Sequence, residues 1–372
     1  MTTPLNPVEM TQALVRMNTV NTPGDESTCT QYLAELLEAQ GFTCTLSELA
    51  PGRASLVASL GDPAQGLPLA FTGHVDVVPL GNAPWQQAPF GGEIIDGKLY
   101  GRGSSDMKAG VAAFVCAALA CREQIAGSAG VTLIITAGEE TGCEGAFQMA
   151  AQPGLLKPAG ALLVAEPSYN DPLAGHKGAL WLKAKARGVT AHGSMPQHGD
   201  NAIYKIARAA LALQAFDFGF PAHPQMGAPT LNVGMINGGL NVNSVPDAAE
   251  LTIDIRTVAG QDHAAIRQAL QAALGDAIEL STLIDLPPVY TEPNHPWVQR
   301  VLALAGSTQV PGTVTYFTDA AALLAPLGNP PTLILGPGET HLAHQTDEYC
   351  EVSRIDQAFA LYTRMILDWC QA

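Results

Sequence analysis

The stretch TAGEETG, residues 136–142, sets two carboxylates side by side, Glu139 and Glu140, directly after the apolar run VTLII. Adjacent acids at the mouth of a buried strand repel each other and are hard to desolvate, so the position needs a chemical reason. Other polar residues fall at comparable places. LAFTGHVDVVP ends an apolar run with His74 and Asp76, and GRGSSDMKAG puts Asp106 ahead of a long apolar helix. LLVAEP closes another run with Glu166, and LILGPGETHLAHQTDEY leads to His344. In an open α/β sheet the strand ends line one crevice, the usual ligand site, which brings these groups to a common rim. So many carboxylates share a site only if a cation offsets their repulsion, and one or two divalent metals are the natural candidates. A mixed His and carboxylate set without cysteine suits Zn²⁺, Co²⁺ or Mn²⁺ in a hydrolytic site.

The doubled glutamate then has an explanation. Neighbouring side chains at a strand end point in different directions, so Glu140 can bind a metal while Glu139 takes a proton from the attacking water. Asp76, two residues beyond His74, can hold the imidazole in its tautomer. Each residue alone has a plainer role: His74 as a hydrogen-bonded core histidine, Asp106 as a helix N-cap, Glu166 as a loop acid, His344 as a surface residue. Their joint occurrence at strand ends and a helix start favours the site.

The elements that must position these groups are legible from periodicity. TCTQYLAELLEAQ has helical spacing and stops at Gly41, and MKAGVAAFVCAALACREQ reads as a long buried helix. ASLVASLG, LPLAFTGH, VTLIITAG and ALLVAE are short apolar runs bounded by Gly and Pro, as buried strands are. That is an α/β pattern with a mostly parallel sheet. From about residue 176 the style changes. LWLKAKAR and AELTIDIR alternate apolar and polar residues, the mark of strands with one wet face. Helices are expected over 200–216 and 262–274, with strands near 230–236 and 277–284, giving the β-α-β-β-α-β order of a ferredoxin-like unit. The α/β style resumes after about residue 289, through PPTLILGPG to a terminal helix around 353–370. The expected organisation is one α/β domain, 1–175 with 290–372, interrupted by a small α+β domain at 176–289.

The 372 residues carry a formal charge of −16, which argues against nucleic acid or an anionic membrane as a partner. No apolar run reaches the ~20 residues that span a bilayer. The N-terminal MTTPLNPVEMTQ lacks a basic or signal-type apolar region. Seven cysteines without a CxxC spacing read as reduced thiols, so a cytoplasmic location is expected. No apolar stripe in the sequence announces an interface.

Taken together, GHVDVVP, GKLYGRGSSDMKAG, TAGEETG, VAEP, GVTAHGSMPQHGDNAI, NGGLNVNSVP and GPGETHLAHQTDEY resemble the M20 metallopeptidase family over roughly residues 70–350. The family includes acetylornithine deacetylases, succinyl-diaminopimelate desuccinylases, aminoacylases and carboxypeptidases. The resemblance implies a two-metal centre, with Zn²⁺ first and Co²⁺ or Mn²⁺ as alternatives. Asp106 would bridge the metals, with His74 and Glu166 on one, Glu140 and His344 on the other, Glu139 as general base and Asp76 behind His74. It also implies a cis peptide after Asp106, a metallohydrolase catalytic domain, and an inserted lid and dimerisation domain in a homodimer. His192, otherwise a turn histidine, would stabilise the oxyanion in the partner subunit's site. Asn243 and Arg256 would bind substrate, and Lys177 is a further candidate. The expected reaction is removal of an acyl group from an N-acyl amino acid; the alternative is a carboxypeptidase or dipeptidase of the same family. A non-catalytic binding protein would have lost the base or a ligand, and all are present. A two-metal phosphatase or nuclease fits the acidic chain poorly, and no glycine-rich phosphate cradle is seen.

Overall fold

The computed structural model describes residues 6–371, in two compact units. Among the described residues, one comprises those up to Gly175, Tyr290–Gly312 and those from Thr318 onward; the other comprises His176–Val289 with Thr313–Phe317. Residues 313–317, which the sequence pattern joins to the flanking α/β segments, thus group with the inserted unit.

The first unit is built on a six-stranded sheet. Its order is Thr43–Ala50, Arg53–Leu60, Val131–Thr136, Leu69–His74, Ala161–Val164 and Thr332–Ile334. The last four are mutually parallel; the first two are antiparallel additions. The outermost of these, Thr43–Ala50, is missing from the sequence reading because it is largely exposed and has no apolar run. The parallel strands are buried along nearly their whole length, which is why they read as short continuous apolar runs.

The helix Ala109–Ala120 is buried on all sides up to Leu119, packed among the helices Pro7–Arg16 and Val352–Cys370 and the sheet. It lacks an amphipathic stripe because no face of it meets water. Close packing here requires glycine: a Cβ on Gly110 would stand 2.2 Å from the carbonyl oxygen of Ala165, the residue before Glu166. The helix begins later than the sequence pattern suggests. Asp106 (φ −120°, ψ 93°) and Met107 (φ −137°, ψ 29°) are non-helical, so Asp106 is not its N-cap. The Asp106–Met107 peptide is cis, as the resemblance implies.

The second unit has the expected β-α-β-β-α-β order: Gly178–Arg187, Ala202–Gln214, Thr230–Gly238, Ala248–Thr257, His263–Leu274 and Ile278–Leu286. Its antiparallel sheet runs Thr230–Gly238, Ala248–Thr257, Gly178–Arg187, Ile278–Leu286. Leu180, Leu182, Leu251, Ile253 and Ile255 face Ile206, Leu213, Ile266 and Leu270 of the two helices, so the alternation read from the sequence is the burial pattern. At the sheet edge, Met235 and Ile236 are exposed, as are Leu240 and Val242 in the loop that follows. An exposed apolar surface therefore exists, although the sequence did not reveal it. No helix among the described residues is long and apolar enough to cross a membrane.

Candidate metal centre

The sheet order places the ends of the strands Val131–Thr136, Leu69–His74, Ala161–Val164 and Thr332–Ile334 side by side. Thr136 pairs with His74, and Thr72 with Val164. Glu139 and Glu140, His74 and Asp76, Glu166, and the segment leading to His344 consequently leave the sheet at one rim. Asp106 reaches it from the turn before the buried helix.

Asp106 lies between two histidines. Its Oδ1 is 3.2 Å from His74 Nε2, and its Oδ2 is 3.5 Å from His344 Nε2. Glu166 Oε1 is 3.6 Å from His74 Nε2, and Glu140 Oε2 is 3.0 Å from His344 Nε2. Two trios of donor atoms, from His74, Asp106 and Glu140 and from His74, Glu139 and Glu166, each lie within 4.8 Å of one another.

Asp76 has a role wider than the expected one. The nearer acceptor for His74 Nδ1 is the Asp76 backbone carbonyl at 2.9 Å; its carboxylate is 3.5 Å away. That carboxylate instead accepts from the backbone N–H groups of Glu139 and Glu140, both at 3.1 Å, and from Asn21 Nδ2 at 3.2 Å. One buried acid therefore fixes the histidine's tautomer through its main chain and the glutamate pair through its side chain.

The electrostatics are those of an anionic cluster short of positive charge. Burial raises Glu139 well above the usual carboxylate range; attraction to His74 opposes the rise, and repulsion from Glu166, Asp319 and Glu140 adds to it. Burial raises Glu166 similarly, helped by Asp106, and also raises Glu140. Asp106 goes the other way: against the cost of burial, hydrogen bonds with His344 and His74 hold it low. His344 is pushed up to about 10 by Asp106 and Glu140, and His74 rises despite burial because Asp106, Glu166 and Asp76 surround it. Imidazole nitrogens and carboxylate oxygens converge on one locus, buried at His74 and open to solvent at His344, and form a donor set suited to divalent cations, which would take the place of these protons.

The second unit carries the other candidates. His192 and Asn243 are exposed and adjacent: His192 bridges to Ser244, and Gly193 N donates to Asn243 O at 2.7 Å. His192 Nδ1 is 2.7 Å from Ser194 Oγ. Arg256 pairs with Asp254 at 2.9 Å and lies over the Trp181 ring. Lys177 is buried, donates to Ala228 O at 2.6 Å, and has its pKa lowered by burial. The four do not form one cluster. Lys177 and Arg256 sit where Gly178–Arg187 begins and Ala248–Thr257 ends, whereas His192 and Asn243 lie beyond the opposite end of that antiparallel pair. Ten residues of strand separate the two ends, roughly 30 Å.

Three buried residues near the rim escaped the sequence reading. Asp319, from YFTDAAAL, accepts a short hydrogen bond from Thr136, and burial lifts its pKa to about 6. Arg102 and Glu348 form an ion pair at 2.7 Å. The only available signal was their location inside the motif segments, because neither ends an apolar run.

Comparison with known proteins places the chain. The model of peptidase family M20/M25/M40 matches residues 70–368. A Staphylococcus epidermidis protein named "Probable succinyl-diaminopimelate desuccinylase" is 31% identical over 357 residues, covering 86% of this chain and 87% of its own. The acetylornithine deacetylase of Vibrio cholerae is 31% identical over 352 residues, covering 91% and 90%. Among solved structures, a dinuclear metal binding peptidase of the M20 family from Bacillus subtilis is similar in fold, with TM-score 0.69 and 14% identity over 98% of both chains. The family match over most of the chain, together with a rim of metal-binding side chains, identifies the protein as a hydrolase of peptidase family M20/M25/M40.

Proposed function

We propose that the protein removes the acyl group from an N-acyl amino acid, in the manner of acetylornithine deacetylases and succinyl-diaminopimelate desuccinylases. The observation that carries this reading is the pairing of Glu139 with Glu140 on the Asp76 carboxylate, beside a two-histidine donor set. The names of the two relatives at 31% identity over most of both chains support the acyl-amino acid substrate.

In this reading two divalent ions, most simply Zn²⁺, would be held by Asp106 together with His74 and Glu166 on one side and Glu140 and His344 on the other. The ions, when bound, supply Lewis acidity toward the scissile carbonyl and make water more acidic. Glu139 removes a proton from the attacking water as the new C–O bond forms. It returns that proton to the leaving nitrogen as the C–N bond breaks, so a carboxylic acid and an amine are the products. The burial that raises its pKa suits a group that must both accept and donate a proton. Asp76 keeps Glu139 and Glu140 in fixed directions through their N–H groups.

Arg256 binds the substrate carboxylate, with Lys177 nearby, and His192 stabilises the oxyanion with Asn243 beside it. The wide separation along the strand pair supports contribution of His192 and Asn243 to the catalytic centre of a second copy. The exposed Met235, Ile236, Leu240 and Val242 support a homodimer formed through the inserted unit. The free cysteines fit a cytoplasmic enzyme.

The test is amide hydrolysis by metal-loaded protein, each assay paired with a chelator control. The panel holds N-acetylornithine, N-succinyl-diaminopimelate, other N-acetyl amino acids and several dipeptides. Chelator-sensitive cleavage of an acyl amino acid is expected. Cleavage of dipeptides alone would replace the deacylase reading with a peptidase one.

A further inference from the structure

Glu348 is fully buried and uses both oxygens. Oε2 accepts from Arg102 Nη1 at 2.7 Å and Gly103 N at 3.1 Å; Oε1 accepts from Ser105 N at 2.8 Å and Asp106 N at 3.0 Å. Arg102, also buried, donates onward to Gln345 O at 3.1 Å, Pro79 O at 3.2 Å and His344 O at 3.4 Å, and lies over the Trp85 ring. Asp347, next to Glu348, accepts from Gln86 N and Gln87 N. Three segments distant in the chain, 79–87, 102–106 and 344–348, are therefore fastened to one another by directional bonds.

We propose that the buried Arg102–Glu348 pair is a positioning device that fixes the distance between Asp106 and His344, and so sets the affinity of the metal position these two share with Glu140. This rests on the assignment of Asp106, Glu140 and His344 as ligands. A stability role is a weaker account. Withdrawing both charges from water is costly, and a well-packed apolar pair often stabilises a fold as much or more. Arg102 Nε is moreover buried without a partner. What apolar side chains cannot supply is direction. Glu348 grips the main chain at Asp106 itself, and Arg102 grips it at His344, so a ligand from each of two segments is set by one pair. Both side chains are closed off from solvent.

The experiment titrates metal-free protein with Co²⁺, reading both the binding curve and the visible absorption of each site. Wild type is compared with Glu348→Gln, with the milder Arg102→Lys, with the ligand variant His344→Ala, and with Arg300→Met. The last removes a helix tie to Asp368 elsewhere in the molecule. Glu348→Gln and Arg102→Lys are expected to weaken one of two sites by about 10- to 100-fold. The affected site should be the one lost in His344→Ala, and Arg300→Met should change neither. Folded Glu348→Gln and Arg102→Lys with both sites intact, or with both weakened alike, would sink the positioning role while a defective His344→Ala preserved the ligand assignment. A His344→Ala protein that binds like wild type would sink the assignment and the positioning role together.

Discussion

Glu140 and His344 are 204 positions apart in the chain, yet His344 Nε2 lies 3.0 Å from Glu140 Oε2. One leaves the sheet after Val131–Thr136, the other follows Thr332–Ile334, and Asp106 lies within 3.5 Å of the same histidine nitrogen. His344→Ala is therefore expected to lower the bound metal from two ions per chain toward one, with activity falling at least about 100-fold. Elemental analysis after dialysis checks the first outcome, and unchanged stoichiometry would remove His344 from the ligand set.

Glu139 should behave differently. In the proposed role of base it can be lost without loss of metal, so Glu139→Gln is expected to cut kcat by about 10²- to 10⁴-fold while leaving metal content near wild type. Parallel kinetics and metal analysis separate the cases. A protein that loses metal as well would make Glu139 a ligand, in line with its place in one donor trio beside His74 and Glu166.

Metal binding should release protons. In metal-free protein, Glu139 and Glu166 are raised well above their usual range, and His344 is pushed to about 10. Because His344 is raised, it holds its proton through neutral pH and gives it up only as pH rises through that value. A cation must displace it, so affinity should increase with pH across pH 6 to 9. Calorimetric titration in buffers of different ionisation enthalpy counts the protons; a count of zero would contradict the charge balance described for the rim.

If His192 serves a second copy, complementation follows. Mixing Glu139→Ala with His192→Ala subunits pairs an intact base with an intact histidine in one of the two sites of each heterodimer. Random mixing should recover about a quarter of wild-type activity. No recovery in verified heterodimers would assign His192 to its own chain or to no catalytic role.

Gly110→Ala tests how tightly the buried helix is set against the rim. The added methyl would meet Ala165 O at 2.2 Å, and the helix or the strand end must move. A loss of about 1–3 kcal/mol in stability is expected from such overpacking, with weaker metal binding because Glu166 follows Ala165. Thermal unfolding with and without Zn²⁺ measures both; an unaltered melting temperature would mean that the contact relaxes freely.

The sequence alone determined much of this protein: the buried parallel strands, the half-wet strands of the inserted unit, and the polar residues at strand ends. These are local properties. A strand buried on both faces must be a continuous apolar run, and one with a wet face must alternate, so Leu69–His74 and Gly178–Arg187 can be read without knowing their neighbours. Tertiary structure decided the partners. That Glu348 holds Asp106, that Thr136 meets Asp319, and that Asp76 serves Glu139 and Glu140 as well as His74 all depend on register between distant segments. The same applies at the ends of the inserted sheet. Lys177, Arg256, His192 and Asn243 are all candidates for substrate or oxyanion contacts, but antiparallel pairing carries them to opposite ends, because residues that follow one strand lie beside those that precede its neighbour.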